Sequence, residues 1–345
     1  MKSLQDFLKT GAFSLLGLGL VTAPAQAVNI TTSSDPNLLV NNILGSGITI
    51  SNATYQGAPI ASGIFTNGLA SGIGIDNGII LTTGNAKLAS GPNTTESASS
   101  SNKLPGDADL SALISGVKTY DASVLEFEFT STTGNLFFNY VFASEEYNEY
   151  VNSKFNDVFG FFLDGKNIAL IPGTNTPVSI NTVNGGNPFG SNATNPHLFN
   201  NNALSDGGIY NLQYDGFTNV FSAQFLGLSE GVHRLKIAIA DVGDYRYDSA
   251  VFIQAGTFSS GEPPKPEIPE PTPVAEPTPV PQPEIPEPTP VPEPTPVPQP
   301  TTPVPTPVPV QQVPEPTTIF GVLASAALGL TSLRKRRIVT TKTLR

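Results

Sequence analysis

Between residues 28 and 261, apolar residues come in short runs broken by Gly, Asn, Ser and Thr, at spacings of roughly 8 to 15 residues. That cadence predicts β-strands. Leu125-Glu-Phe-Glu-Phe129 alternates strictly, with Leu125, Phe127 and Phe129 on one face and Glu126 and Glu128 on the other, as expected of a strand with one face on a core. Leu235, Ile237 and Ile239 repeat the alternation. Leu136 to Phe142 and Val158 to Leu163 are continuous apolar runs, which predict strands buried on both faces, and Ser249 to Phe258 reads as the closing strand. Helix is scarce. Asp35 followed by Pro36 is a cap and a first helical residue, predicting a short helix from Pro36 to Leu44, and Asp109 to Ser115 adds one turn. The pattern as a whole predicts an all-β single domain, a β-sandwich or jelly roll with one or two short helices, with a barrel as the alternative. Some 230 residues are enough for one large core.

Composition changes abruptly at Gly261. From Glu262 to Pro316 the chain is built from Pro-Glu-Pro-Thr-Pro-Val variants and holds 24 of the 33 prolines, with eight glutamates and one lysine. Proline fixes φ and removes the amide donor, so the segment can enter neither helix nor sheet and takes polyproline II. At about 3.1 Å per residue it reaches on the order of 170 Å, a semi-rigid spacer stretched further by its own negative charge. Residues 262–312 are thus expected to be an extended stalk. A docking ligand for an SH3-like partner is the other reading.

The last residues have a different character. Val313-Pro-Glu-Pro316 leads into Thr317–Leu333, an uncharged run about 25 Å long as a helix, close to the bilayer core of about 30 Å. Arg334-Lys-Arg-Arg337 follows and would remain cytoplasmic. This order, residues 313–337, resembles the PEP-CTERM sorting signal. The resemblance implies that Pro314, Glu315 and Pro316 with the cluster Arg334, Lys335, Arg336 and Arg337 are read by an exosortase-type membrane enzyme, although the tail 338–345 extends past the usual stop. An ordinary transmembrane anchor is the alternative. At the other end, Lys2 and Lys9 precede an apolar stretch, Gly11 to Val21, and Ala25-Gln26-Ala27 offers signal peptidase its small-x-small site. Residues 1–27 are expected to be a signal peptide cleaved after Ala27. Both ends place the body outside the cytoplasm, at the cell surface or in the extracellular matrix of a bacterium.

Two further facts narrow the function. The chain has no cysteine, which excludes disulfides, thiolate catalysis and thiolate metal sites. Residues 28–316 hold 27 acidic and 9 basic residues, a charge near −18 that repels nucleic acid and anionic membrane and attracts divalent cations.

The acids are clustered. Ser144-Glu-Glu-Tyr-Asn-Glu149 follows a strand with a buried signature, Asn156-Asp157 precedes another, and Asp241-Val-Gly-Asp244-Tyr-Arg-Tyr-Asp248 joins the last two. Glu145, Glu146, Asp157, Asp241, Asp244 and Asp248 are hard oxygen donors of the kind Ca²⁺ gathers six to eight of, and they could converge on one ion if their strands pair. The other reading is loop acids that cap turns, the simplest role also for Asp215 in Tyr214-Asp-Gly-Phe217. Glu145 and Glu146 could pose as a glycosidase pair, but neighbours on a strand face opposite ways, so catalysis would need Glu146 with Asp157 or Asp244. The histidines make no triad: His233 shares the strand parity of Leu235 and reads as a packed strand end, and His197 lies in an Asn-rich loop from Thr182 to Ser205. That loop is either a glycan-binding rim or a plain connector.

Phe138-Asn-Tyr-Val-Phe-Ala-Ser-Glu-Glu-Tyr147, Phe155-Asn-Asp-Val-Phe-Gly-Phe-Phe162, Tyr214-Asp-Gly-Phe-Thr218, Ile237-Ala-Ile-Ala-Asp-Val-Gly-Asp244 and Tyr247-Asp-Ser-Ala-Val-Phe252 together resemble the choice-of-anchor L domain, over roughly residues 35 to 258. The resemblance implies an exported, β-rich surface domain and supplies no reaction. The expectation is a non-catalytic surface or matrix protein, adhesive or polysaccharide-associated and stabilised by Ca²⁺. A calcium-dependent carbohydrate-active enzyme and a purely structural coat component are the alternatives. Mass spectrometry of the exported protein is expected to find Val28 as its first residue, and a retained leader would contradict the cleavage site.

Overall fold

The computed structural model describes residues 26–263. Ala25, the rest of the leader, the proline-rich stalk beyond residue 263, the Pro-Glu-Pro segment, the apolar run, the basic cluster and the 338–345 tail lie outside the described residues. Among the described residues no helix is long and apolar enough to cross a membrane.

The chain begins with β1 (Asn29–Thr32), α1 (Pro36–Ile43), β2 (Ile48–Gln56), β3 (Ser62–Thr66), the single turn α2 (Gly68–Ser71) and β4 (Gly78–Thr82). A long connection then leads to α3 (Ala108–Leu113), β5 (Thr119–Ser131), β6 (Asn135–Ser144), β7 (Val158–Leu163) and β8 (Lys166–Asn167). The last part supplies β9 (Phe199–Asn201), β10 (Gly216–Thr218), β11 (Phe221–Leu226), β12 (His233–Val242) and β13 (Ser249–Gln254). These strands form two antiparallel sheets, so the fold is a sandwich. The larger runs β1-β3-β4-β13-β6-β10-β9, with β11 also on β6, and the smaller runs β2-β5-β12-β7-β8.

The hydrophobic pattern decides which face meets which. Leu125, Phe127 and Phe129 of β5, Phe159 and Phe161 of β7, and Leu235, Ile237 and Ile239 of β12 point inward from the smaller sheet. Leu136, Phe138, Tyr140 and Phe142 of β6 meet them from the larger one, with Val251 and Ile253 of β13. The continuous runs are buried on both sides, as their composition predicts. Val141 and Ala143 face an outer cluster with Phe65, Tyr214, Phe217 and Phe252, while Val158 and Phe162 meet Leu110 of α3 on the opposite exterior.

Local capping explains the helices. Asp35 accepts the Asn37 N–H at 2.9 Å at the start of α1, and Asp107 accepts those of Asp109 and Leu110 at 3.0 and 3.1 Å at the start of α3. The final strand is shorter than the pattern predicts. It ends at Gln254, and a turn at Ala255 and Gly256, whose φ is +69°, sends the chain across the sandwich mouth. Phe258 then enters the core, its ring centroid 5.2, 5.3 and 5.6 Å from those of Phe127, Phe129 and Phe138. Its apolar side chain extended the strand signature although it belongs to a separate plug.

Because Phe258 touches both sheets, Phe258→Ala is expected to destabilise the protein by about 3–5 kcal/mol in urea denaturation. Leu226→Ala, at a residue 61% exposed, is expected to stay within about 0.5 kcal/mol.

Candidate metal centre

Antiparallel pairing gathers one end of the central strands. In the smaller sheet Thr119 pairs with Val242 and Val158 with Ala240, so the start of β5, the end of β12 and the start of β7 are adjacent. In the larger sheet Ser144 faces both Ser249 and Gly216, so the end of β6 meets the starts of β13 and β10. Acids flank every one of these ends: Asp121, Glu145, Glu146, Asp157, Asp215, Asp241 and Asp248. All seven are buried.

Hydrogen bonds tie the two sheets together here. Asp157 accepts the Val242 N–H at 2.8 Å on Oδ1 and the Ser249 hydroxyl at 2.7 Å on Oδ2, and Ser249 lies 2.8 Å from the Ser144 hydroxyl. A strap, residues 93–104, turns its amides toward the acids. Ala98 donates to Glu145 Oε2 at 3.0 Å, Ser100 to both oxygens of Asp248 at 3.1 and 2.9 Å, and Asn102 and Leu104 to Asp121 at 2.8 and 2.6 Å. Asn93 donates its amide to Asp215 Oδ1 at 2.6 Å.

Several oxygens are left over. Glu145 Oε1, Glu146 Oε2, Asp215 Oδ2 and both oxygens of Asp241 are buried without a hydrogen-bond partner. The Thr83 hydroxyl leans toward Asp241 without closing a bond of normal geometry. Among the described residues the ion pairs join His233 to Asp164, Arg234 to Glu126, and Lys236 to Asp107 and Asp109, so no cation compensates the buried set.

The proton affinities follow from that. Burial lifts the Glu145 carboxyl to about 10, with the neighbouring charge of Asp215 adding and the Ala98 amide opposing. Glu146 also reaches about 10, from burial first and then from Asp157, Asp244 and Glu149. Asp157 rises to about 8 through burial, despite its Ser249 and Val242 donors, and Asp215 to about 8, against its Asn93 donor. Asp248 reaches only about 6, because Ser100 and Ser99 offset part of its desolvation. Burial and the charge of Asp157 hold Asp241 well above the usual carboxylate range.

The six acids singled out in the sequence therefore share one end of the sandwich but differ in what they can offer. Asp157 and Asp248 have both oxygens engaged, and half-buried Asp244 closes its own turn by accepting the Arg246 N–H at 3.0 Å. Glu145 and Glu146 turn apart in the bend that follows β6, one toward Asp215 and Asp248 and the other toward Asp157 and Asp244. Glu145, Glu146 and Asp241 keep free buried oxygens. Glu146 and Asp244 also line a pocket of about 130 Å³ with Tyr150, Phe155, Arg246 and Tyr247.

Asp121 and Glu96 escaped sequence reasoning, because neither has a second acid within four residues. Asp215 is more than a turn residue, since it is fully buried between Asn93 and the loop before β10. His233 is a packed strand end as expected, with Nδ1 2.6 Å from Asp164 and Nε2 3.0 Å from the Ser229 carbonyl. The Asn-rich loop spends amides on its own backbone: Asn184 accepts the Gly186 and Thr194 N–H groups at 3.0 Å, and Asn195 donates to the Thr182 carbonyl at 2.9 Å.

A disulfide-free sandwich with acids buried at one end is the class of protein that these features define. Residues 27–259 match the Choice-of-anchor L domain, and the chain belongs to that family. Membership makes it a surface-associated, exported type of protein served by an anchoring system, in a family not known for catalysis. No curated protein and no solved structure matches the chain.

Acids whose folded pKa exceeds the unfolded value of about 4 favour the native state below that value and lose that contribution as pH rises through their folded values. With chelator present, scanning calorimetry is expected to give a lower melting temperature at pH 9 than at pH 5, the loss beginning just above the unfolded value of about 4 and ending near the highest folded value of about 10. A melting temperature that climbs over this interval would contradict the burial of these acids.

Proposed function

We propose that this chain is an exported, non-catalytic protein of the bacterial surface or extracellular matrix, adhesive or polysaccharide-associated, whose sandwich is loaded with Ca²⁺ at its acidic end. The observation that carries this reading is the set of buried carboxylate oxygens without donors, in a cysteine-free domain of a surface-protein family. An uncompensated buried carboxylate costs several kcal/mol, and a divalent ion held by oxygen ligands removes that cost. Glu145, Glu146, Asp157, Asp241, Asp244 and Asp248 are the proposed ligand set, with Glu146 and Asp244 nearest the surface. The proline-rich stalk would lift the domain from the envelope. Signal peptidase and an exosortase-type enzyme would process the two ends, and extracellular polysaccharide is the proposed partner.

A carbohydrate-active enzyme is the second reading, favoured by one feature: Glu146 stays protonated at neutral pH beside a pocket, as a general acid must. At about 130 Å³ that pocket falls below the roughly 300 Å³ at which ligand sites begin, which counts against a substrate enclosed there.

Co-sedimentation with purified exopolysaccharide in calcium tests the proposal. Retention without new reducing ends supports it. Release of reducing ends that Glu146→Gln abolishes would make the protein an enzyme, and ordered self-assembly without retention would make it a coat component. Calcium at 100 times its dissociation constant is expected to stabilise the fold by about 2.7 kcal/mol, a rise of a few degrees in Tm. Asp244→Asn should shrink that rise, and an unchanged rise would remove Asp244 from the ligand set.

A further inference from the structure

A second group of carboxylates shares no residue with that ligand set. Glu96 comes from the strap, Glu149 from the turn after β6, and Asp215 from the residue before β10, so three segments distant in sequence meet. One oxygen from each lies within 4.8 Å of the others. Oxygens bound to one Ca²⁺ at about 2.4 Å can be no more than about 4.8 Å apart, so the spacing admits a single ion among the three.

Proximity alone would mean little, since exposed acids often sit together. Asp215 is fully buried, and its Oδ2 has no hydrogen-bond donor. Glu96 repeats the pattern: Oε1 accepts the Ser205 N–H at 2.7 Å, while Oε2 is buried without a partner. Asn148, next to Glu149, donates from Nδ2 to Asp206 at 2.9 Å and to Asn201 at 2.8 Å, and its amide oxygen is likewise buried and unpartnered. Among the described residues the ion pairs include none of these acids. The three carboxylates repel one another, yet the Asn93 and Ser205 donors hold two of them in place.

We propose that Glu96, Glu149 and Asp215 form a second divalent-cation site, selective for an oxygen-seeking ion of the Ca²⁺ type, that latches the strap to the β6 and β10 ends of the larger sheet. The donor set contains no nitrogen or sulfur, which disfavours zinc-type ions. Three carboxylates supply at most two oxygens each, and because Glu149 is exposed, water completes the shell from outside. The ion works as a cross-link. It joins residues 96, 149 and 215 in a protein that has no disulfide to do so.

Calorimetric titration of CaCl₂ into the metal-free full chain tests the site, with Glu149→Gln, the double variant Glu96→Gln/Glu149→Gln, and Asp244→Asn compared with wild type. Glu149 is exposed and repelled by its acidic neighbours, so metal-free Glu149→Gln should melt no lower than wild type, which guards against a folding artefact. One calcium is expected to disappear from the double variant, or to bind it at least about tenfold more weakly, and to persist in Asp244→Asn. Wild-type stoichiometry and affinity in the double variant would overturn the proposal while leaving the first ligand set intact. Loss in the double variant with no change in Asp244→Asn supports the latch and counts against Asp244 as a ligand. No calcium bound by wild type would overturn both.

Discussion

A carboxylate moved from water into a protein interior loses hydration that only hydrogen bonds or a cation can replace. This sandwich makes that transfer seven times at one end, and the local structure there is the response. The strap has no regular structure of its own, because its amides are committed to Glu145, Asp248 and Asp121 instead of to a neighbouring strand. The start of β7 is tied to the start of β13 through Asp157 and Ser249, which links the two sheets where their cores thin out. Without the acids the strap would keep the bonds of Asn93, Thr94 and Thr95 to Asn202 and Gln213 and of Asn102 to Thr83 and Gly84, but its central amides would lose their acceptors.

The rest of the domain is held by ordinary means. Rings of β5, β6 and β7 pack edge to face across the layers, as between Phe138 and Phe161 at 4.8 Å and Tyr140 and Phe161 at 4.9 Å. Both exteriors are covered, one by the segments carrying Tyr214 and Phe217, the other by α3. That covering explains why β6 and β7 tolerate uninterrupted apolar sequence. A cysteine-free exported domain must rely on such a core, and charge buried at its rim would weaken it unless neutralised by protons or by a metal. Where these oxygens take up a cation, as proposed, protonation would compete for them, and the pH of the surroundings and their calcium content would be linked variables.

Its family makes it a surface-associated protein. A surface domain meets millimolar salts, changing pH and soluble polymers, and the proposed ions would stiffen it without cysteine chemistry. Local charge, rather than a deep cavity, is its distinctive feature.

Much of this was legible in the sequence. Alternation at Leu125–Phe129 and at Leu235–Ile239 identified the strands and their inner faces, and apolar runs identified β6 and β7, because side-chain periodicity is a local property. Asp35 and Pro36 marked α1 for the same reason. Clustered acids near strand ends pointed to the acidic end of the sandwich, but not to the division of labour within it. Phe258 continued an apolar stretch and was read as strand, although a turn had already redirected the chain. Glu96 and Asp215, far apart in sequence, acquire meaning only where the strap and β10 meet. The sequence by itself determined which residues could be strands, which faces were apolar and how much negative charge the chain carries. Tertiary structure alone decided which carboxylates receive backbone amides and which are left bare, since that depends on distances between segments that only the pairing of the sheets brings together.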